Sequence, residues 1–113
     1  MTYEDVKTII DSIGLPYNYD HFDNETDVTP PFITFTLPDS NDLMADNTNY
    51  QMIRPLSIFL YTRTKDFGTE SFVEDILKTN GLTYHRDEDY LKKEKLFKIT
   101  YEMEVLINVE KQG

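Results

Sequence analysis

The chain has 113 residues, a formal net charge of −10 at pH 7, eight tyrosines, seven phenylalanines and no cysteine. This length is typical of a single domain spanning residues 1–113, and the absence of cysteine excludes disulfides, thiolate metal sites and a cysteine nucleophile. A surface with this charge repels phosphate, so tight or sequence-specific binding to nucleic acid is disfavoured.

The first elements of the chain are a helix and an edge strand. Thr2 is a suitable N-cap, and the apolar stripe that follows predicts a helix over residues 3–13 that ends at Gly14. The first ten residues lack the basic start and long apolar run of a signal peptide, so we expect a soluble protein made in the cytoplasm. Residues 15–19 contain Pro16 and predict a short edge strand.

Two long polar loops flank a second strand. Residues 32–37 read FITFTL between prolines and predict a strand, preceded by an acidic loop over residues 20–31. The loop over residues 38–49 is rich in turn-forming residues, and its only bulky apolar side chains are Leu43 and Met44. Such a long connection in a small domain is often functional.

The most apolar run near the middle of the chain, residues 50–63, predicts the central strand of a sheet. It is too short to span a membrane, which needs about 20 apolar residues. We expect Leu56, Ile58 and Leu60 to pack against helices on one face of this strand. Phe59 and Tyr61 should lie on the other face. Pro55 removes a ladder donor, so we expect firm pairing to start at Leu56 or a bulge to form before it.

The last third of the chain predicts a helix and two strands. The helix has an apolar face made of Phe72, Val73, Ile76 and Leu77, and it ends at residues 80–81. Residues 82–90 predict a polar strand in which Leu82, Tyr84 and Tyr90 are buried. Residues 92–95 are a charged turn, and the last strand places six apolar residues at period two: Phe97, Ile99, Tyr101, Met103, Val105 and Ile107.

The predicted order of elements is α-β-β-β-α-β-β. Runs of strands with two helices and short connections favour an α+β fold. We expect a two-layer sandwich: a mainly antiparallel sheet of about four to five strands, with both helices on one face.

The sequence carries no recognisable catalytic or metal-binding constellation. His21 lies between Asp20 and Asp23, in a loop that suits a solvated histidine better than a metal cage. The acidic loop around Asp42 lacks the glycine and glutamate that a calcium loop needs, and no phosphate-binding or nucleophile-elbow motif is present. We therefore expect no enzyme activity, no cofactor and no metal.

Surplus apolar surface is the feature that stands out. Exposed apolar patches mark protein–protein contacts, although a loop that folds back over these side chains would also account for them. The predicted interface comprises the second long loop and the outward face of the central sheet: Asp39, Asn41, Asp42, Leu43, Met44, Phe59, Tyr61, Glu102, Glu104 and Leu106.

Several short segments, spread in order along nearly the whole chain, carry a resemblance to a known group of proteins. They are Leu15-Pro16-Tyr17, Tyr19-Asp20-His21-Phe22, Pro31-Phe32-Ile33, Asp39-Ser40-Asn41, Ala45-Asp46, Tyr50-Gln51, Leu60-Tyr61-Thr62, Glu94-Lys95-Leu96 and Tyr101-Glu102-Met103-Glu104-Val105. With them the chain resembles small proteins of prophages of Gram-positive bacteria, encoded between the head–tail connector genes and the major tail protein. These proteins are similar to the tail-terminator and tail-completion proteins of long-tailed, non-contractile phages. Pro55 departs from the pattern.

The resemblance implies a structural protein of the virion head–tail junction. It implies a subunit that forms a homohexameric ring, caps the tail tube and joins it to the head connector. Its partners would be its own copies, the major tail tube protein and the connector protein. Two alternatives remain open: a head-completion adaptor, and a monomeric acidic regulatory domain that binds a basic partner.

Overall fold

A computed structural model of the chain describes residues 1–23, 28–38 and 49–110. The described elements are α1 (Tyr3–Asp11), β1 (Tyr17–Tyr19), β2 (Phe32–Thr36), β3 (Asn49–Thr62), α2 (Phe67–Thr79), β4 (His85–Leu91) and β5 (Leu96–Glu110). Their order confirms the α+β prediction. Neither of the described helices has the length and apolar character needed to cross a membrane.

The five strands form one sheet with the order β1-β2-β3-β5-β4. β1 pairs with β2 in parallel, and the other three pairings are antiparallel. β3 therefore occupies the middle of the sheet, as the apolar run at its centre predicts.

Both helices pack on one face of the sheet. Side chains along β3 and β5 alternate between the two faces of the sheet, and those on one face belong to a single core cluster. Each strand therefore presents a row of mainly apolar side chains to the helices. The cluster joins Val6, Ile10 and Ile13 of the N-terminal segment and Val73 and Leu77 of α2 to the sheet residues Ile33, Leu56, Ile58, Leu60, Ile99, Tyr101, Met103, Val105 and Ile107. Each such side chain stabilises the fold by roughly 1.5–3 kcal/mol on burial.

Local signals set the helix ends. At α1 the Thr2 hydroxyl accepts from the Asp5 backbone N–H at 3.1 Å, and the Asp5 carboxylate accepts from the Thr2 N–H at 2.9 Å. Gly14, just past this helix, has a φ of 81° that favours glycine. At α2 the Asp66 side chain accepts from the Thr69 N–H at 3.0 Å.

A buried ion network fixes α2 to β4. The Glu70 carboxylate, with only 5% of its side chain exposed, lies 2.8 Å from the Lys65 ammonium and is also hydrogen-bonded by Arg86 of β4. Arg86 further contacts Glu74 and Glu88. Desolvation opposes the charged form of Arg86, but its hydrogen bonds to Glu70 and Glu88 outweigh it and raise the pKa of the guanidinium. The ion pairs therefore allow a charged residue to lie inside the helix–sheet interface.

Two aromatic side chains that the sequence pattern places in the core are instead half exposed. Phe72 is 52% exposed because the buried stripe of α2 runs through Val73 and Leu77 and leaves Phe72 on the flank of the helix. Tyr90 is 50% exposed because it lies near the end of the edge strand β4, where its ring contacts Phe97 at 4.9 Å between centroids. The predictions that Phe72 belongs to the buried face of α2 and that Tyr90 is buried were wrong.

β3 and β5 extend well beyond their neighbours in the sheet. On this side of the sheet, the pairing of β3 with β2 stops at Ser57, opposite Thr36. The pairing of β5 with β4 stops at Glu102, opposite His85. Residues 49–55 of β3 and 104–110 of β5 continue in unbroken antiparallel register as a two-stranded ribbon, called the arm below. The six intervals between seven residues, at about 3.4 Å each, make the arm about 20 Å long.

Pro55 lies within the arm and does not interrupt the pairing. It stands opposite Glu104 in a register that continues to Asn49, so the expected late start or bulge was wrong. The reason is that β2 ends at Thr36, opposite Ser57, so no strand in the described residues pairs with β3 on that side at Pro55. An open edge is where a strand accepts proline, because the missing N–H need not break a ladder hydrogen bond.

A candidate assembly surface on the open face of the sheet

The face of the sheet opposite the helices is called the open face here. Strand alternation places Phe59 and Tyr61 on it, together with their cross-strand partners Thr34 and Phe32 of β2 and Lys98 of β5. In the described part of the chain no helix packs on this face. The helices of the described chain therefore leave this face of the sheet uncovered.

The predicted strand residues of the interface all lie on the open face. Phe59 and Tyr61 are half-buried, since the Lys98 ammonium lies 4.7 Å from the Phe59 ring centroid and Tyr61 stacks on Phe32 at 4.8 Å. Glu102 and Glu104 are exposed. The predicted loop residues of the interface fall outside the described residues: Asp39, Asn41, Asp42, Leu43 and Met44.

The arm presents an exposed apolar pair on the open face. Leu106 of β5 stands opposite Ile53 of β3 in the register, and the two side chains are 44% and 47% exposed. The opposite side of the arm is covered, because Val105 and Ile107 belong to the main core. The arm is thus a two-sided element that is anchored by its inner side and has an apolar outer side.

A cleft of about 510 Å³ lies at the other end of the open face, where β3 ends and β5 begins. Three parts of the chain build it: residues 20–22 with Val28 and Pro30 before β2, the end of β3, and the turn between β4 and β5. Its wall is aromatic. Phe32 stacks on Tyr61 with an interplanar angle of 21°, and Phe22 meets Phe32 edge to face at 5.4 Å. Flat or branched apolar groups pack well against such a wall.

Charged side chains also line the cleft. Arg63 follows Tyr61 on the same side of the chain, and Glu94 comes from the β4–β5 turn. Asp20 pairs with His21, with 2.9 Å between the carboxylate oxygen and Nδ1. The hydrogen bond that the His21 imidazole donates to the Asp20 carboxylate is the main cause that raises the pKa of His21, and Asp23 at 3.5 Å adds to it.

A buried hydroxyl without a partner also lines the cleft. Thr34 is 4% exposed, and its Oγ1 has no hydrogen-bond partner among the described residues. A buried polar atom left unpaired costs about 1–3 kcal/mol, which a bound group with a donor or acceptor would recover. The cleft therefore combines an aromatic wall, a cation and one unsatisfied polar atom.

The open face presents mainly apolar and aromatic groups. The described residues contain no group of three His, Asp or Glu side chains placed to hold a metal ion. What the open face offers is an apolar pair at one end and an aromatic cleft at the other, with Glu104 and Arg63 as their charged neighbours.

The sequence pattern identified the arm side chains Glu104 and Leu106 but missed the cleft. Phe22, Phe32 and Arg63 lie in separate segments, and only the fold brings the first two together. One local signal was available for Arg63, because it follows Phe59 and Tyr61 at period two and so continues their face of the strand.

No family model matches the chain, and no curated protein sequence matches it.

Proposed function

We propose that the protein is a structural subunit of virion assembly, a ring-forming tail terminator that caps the tail tube of a long-tailed phage and joins it to the head connector. The proposal draws on the resemblance of the sequence to tail-completion proteins. The structural observation that carries it is the open face, which has an exposed apolar pair on the arm at one end and an aromatic cleft at the other.

Such a distribution of apolar groups favours self-assembly. Contiguous exposed apolar surface in a soluble protein usually marks a contact with another protein. Two different apolar features at opposite ends of one face suit a head-to-tail contact, and such a contact gives a ring when the rotation between copies closes. Six copies would match the six-fold tube that the resemblance implies.

The charge of the chain fits a position around the path of DNA. The net charge is −10, and residues 8–53 contain eight acidic residues and no lysine or arginine. A net-acidic ring repels the phosphate backbone, so DNA would pass through it without binding. In this role the protein works by geometry, because it ends tube growth and offers the head a new surface, and it requires no catalytic residue or cofactor.

Electron microscopy of phage particles assembled without this protein tests the proposal. The expected result is tails of irregular or excessive length that lack heads, because nothing stops tube growth or provides the joining surface. Particles with normal tails and heads that leak DNA would instead indicate a head-completion adaptor. Normal, infectious particles would contradict any role at the head–tail junction.

A further inference from the structure

We infer that the arm of one copy docks in the cleft of the next copy, with Leu106 and Ile53 against the aromatic wall and Glu104 beside Arg63. The inference rests on the proposed ring function and names the contact that would build the ring. The arm and cleft belong to the same chain, so one kind of contact, repeated, joins every copy.

The placement of the two features supports a head-to-tail contact. β3 runs from the arm at Asn49 to the cleft at Tyr61, so Ile53 and Tyr61 are eight residues apart on one face. At about 3.4 Å per residue the two features lie about 27 Å apart. One copy therefore cannot fill its own cleft with its own rigid arm, whereas a neighbour displaced along the sheet can.

The arm and the cleft both present apolar surface, so each can cover the other. The cleft volume of about 510 Å³ lies within the usual range of binding pockets, roughly 300–1,000 Å³, and its wall contains Phe22, Phe32 and Tyr61. The arm offers two branched aliphatic side chains that are close to half exposed, Ile53 and Leu106, side by side on a two-stranded ribbon. Docking would remove both apolar surfaces from water.

The charges are complementary as well. Glu104 stands two residues before Leu106 and shares its face, so it would reach the rim of the cleft when Leu106 enters. Arg63 lines that rim, and within the described ranges neither Glu104 nor Arg63 forms an ion pair. Asp20 is already paired with His21, while Glu94 repels a carboxylate and would direct Glu104 towards Arg63.

A local attraction of this kind matters because the copies repel each other. At a net charge of −10 each, two copies approach with like charge, so a contact between them needs a cation where they meet. Complementary charges at an interface also set its register and suppress wrong arrangements. The Glu104–Arg63 pair would therefore select the arm-in-cleft geometry over side-by-side packing.

A charge exchange between two variants tests this contact. Arg63→Glu places two carboxylates in contact, and Glu104→Lys places two cations in contact, so each variant alone should associate at least about tenfold more weakly than the wild type. Mixed in equal amounts, the two should assemble again, because every junction in an alternating ring then joins opposite charges. Sedimentation velocity of each variant and of the mixture, with and without purified tail tubes, measures this directly.

Matched controls carry the same charge changes elsewhere. Lys7→Glu and Glu4→Lys both lie at exposed positions of α1, on the helical side of the molecule. Both should assemble like the wild type. Circular dichroism melting of every variant confirms that the monomer is folded.

The outcomes separate this inference from the proposed function. If the wild type assembles and neither charge reversal weakens its assembly, the arm-in-cleft contact is wrong. The contact is also wrong if the mixture of the two variants stays dissociated. Either result leaves the ring proposal standing. If Arg63→Glu blocks binding to tail tubes but not self-association, the cleft takes a different partner and the inference is wrong. A wild type that stays monomeric both alone and on tail tubes refutes the contact and the ring together.

Discussion

The neighbouring residues Leu106 and Ile107 should separate assembly from folding. They lie side by side on β5 but on opposite faces: Leu106 is 44% exposed on the arm, and Ile107 is fully buried in the core. We predict that Leu106→Ala weakens association and lowers the melting temperature much less than Ile107→Ala does. Ile107→Ala should lower the melting temperature strongly.

The sizes of the two effects follow from burial. Truncation of a fully buried isoleucine to alanine costs about 2–5 kcal/mol, and at about 4 °C per kcal/mol the melting temperature should fall by about 8–20 °C. For Leu106, burial of the exposed 44% of a side chain worth roughly 1.5–3 kcal/mol gives at most about 0.7–1.3 kcal/mol. Each contact in the assembly should then weaken by up to about three- to ninefold.

Thermal melting by circular dichroism and sedimentation velocity over a range of concentrations measure the two quantities on the same samples. The reasoning is refuted if Leu106→Ala lowers the melting temperature as much as Ile107→Ala does, because Leu106 would then be part of the core. It is also refuted if Leu106→Ala assembles at the same concentration as the wild type.

Three further changes test the fold and its charges. Tyr101→Phe removes the 2.9 Å hydrogen bond to the Glu74 carboxylate and should lower the free energy of unfolding by about 1.5 kcal/mol in urea titrations. Asp66→Ala removes the N-cap of α2 and should cost about 1 kcal/mol by the same measurement. Asp20→Asn should lower the pKa of His21, which NMR titration of the imidazole follows directly; because folding raises this pKa above 6.5, the stabilisation is complete below pH 6.5 and is lost as pH rises through the folded value.

Matched substitutions at exposed positions provide the controls. Tyr3→Phe, Asp75→Ala and Asp23→Asn make the same chemical changes at residues that are exposed to solvent. The first two should change the free energy of unfolding by less than about 0.5 kcal/mol. Asp23→Asn should move the pKa of His21 less than Asp20→Asn does, because Asp20 is the main cause of the shift. If a control substitution has the same effect as its test substitution, the role assigned to the tested residue is wrong.

Local pattern was sufficient to predict most of the architecture. The alternation along β3 and β5 identifies the core face because side chains at period two must share a side of the sheet. The capping residues Thr2 and Asp5 identify the start of α1, since they satisfy backbone groups within the same few residues. These signals lie within one element, which is why a single sequence reveals them.

Features that depend on several elements were not predictable in this way. The arm exists because β2 and β4 end early, so its length is a property of neighbouring strands and not of β3 itself. Glu70 looks like a surface residue of a helix, yet it is buried because Lys65 and Arg86 converge on it from outside α2. The cleft likewise needs three separate segments to meet.

We propose that copies of this chain form a closed ring that binds the end of the tail tube. Native mass spectrometry of the wild-type protein, alone and after incubation with purified tail tubes, tests it most directly. The account predicts a single closed species of six copies, formed in solution or on the tube. A protein that remains monomeric at high concentration and does not bind the tubes would contradict it.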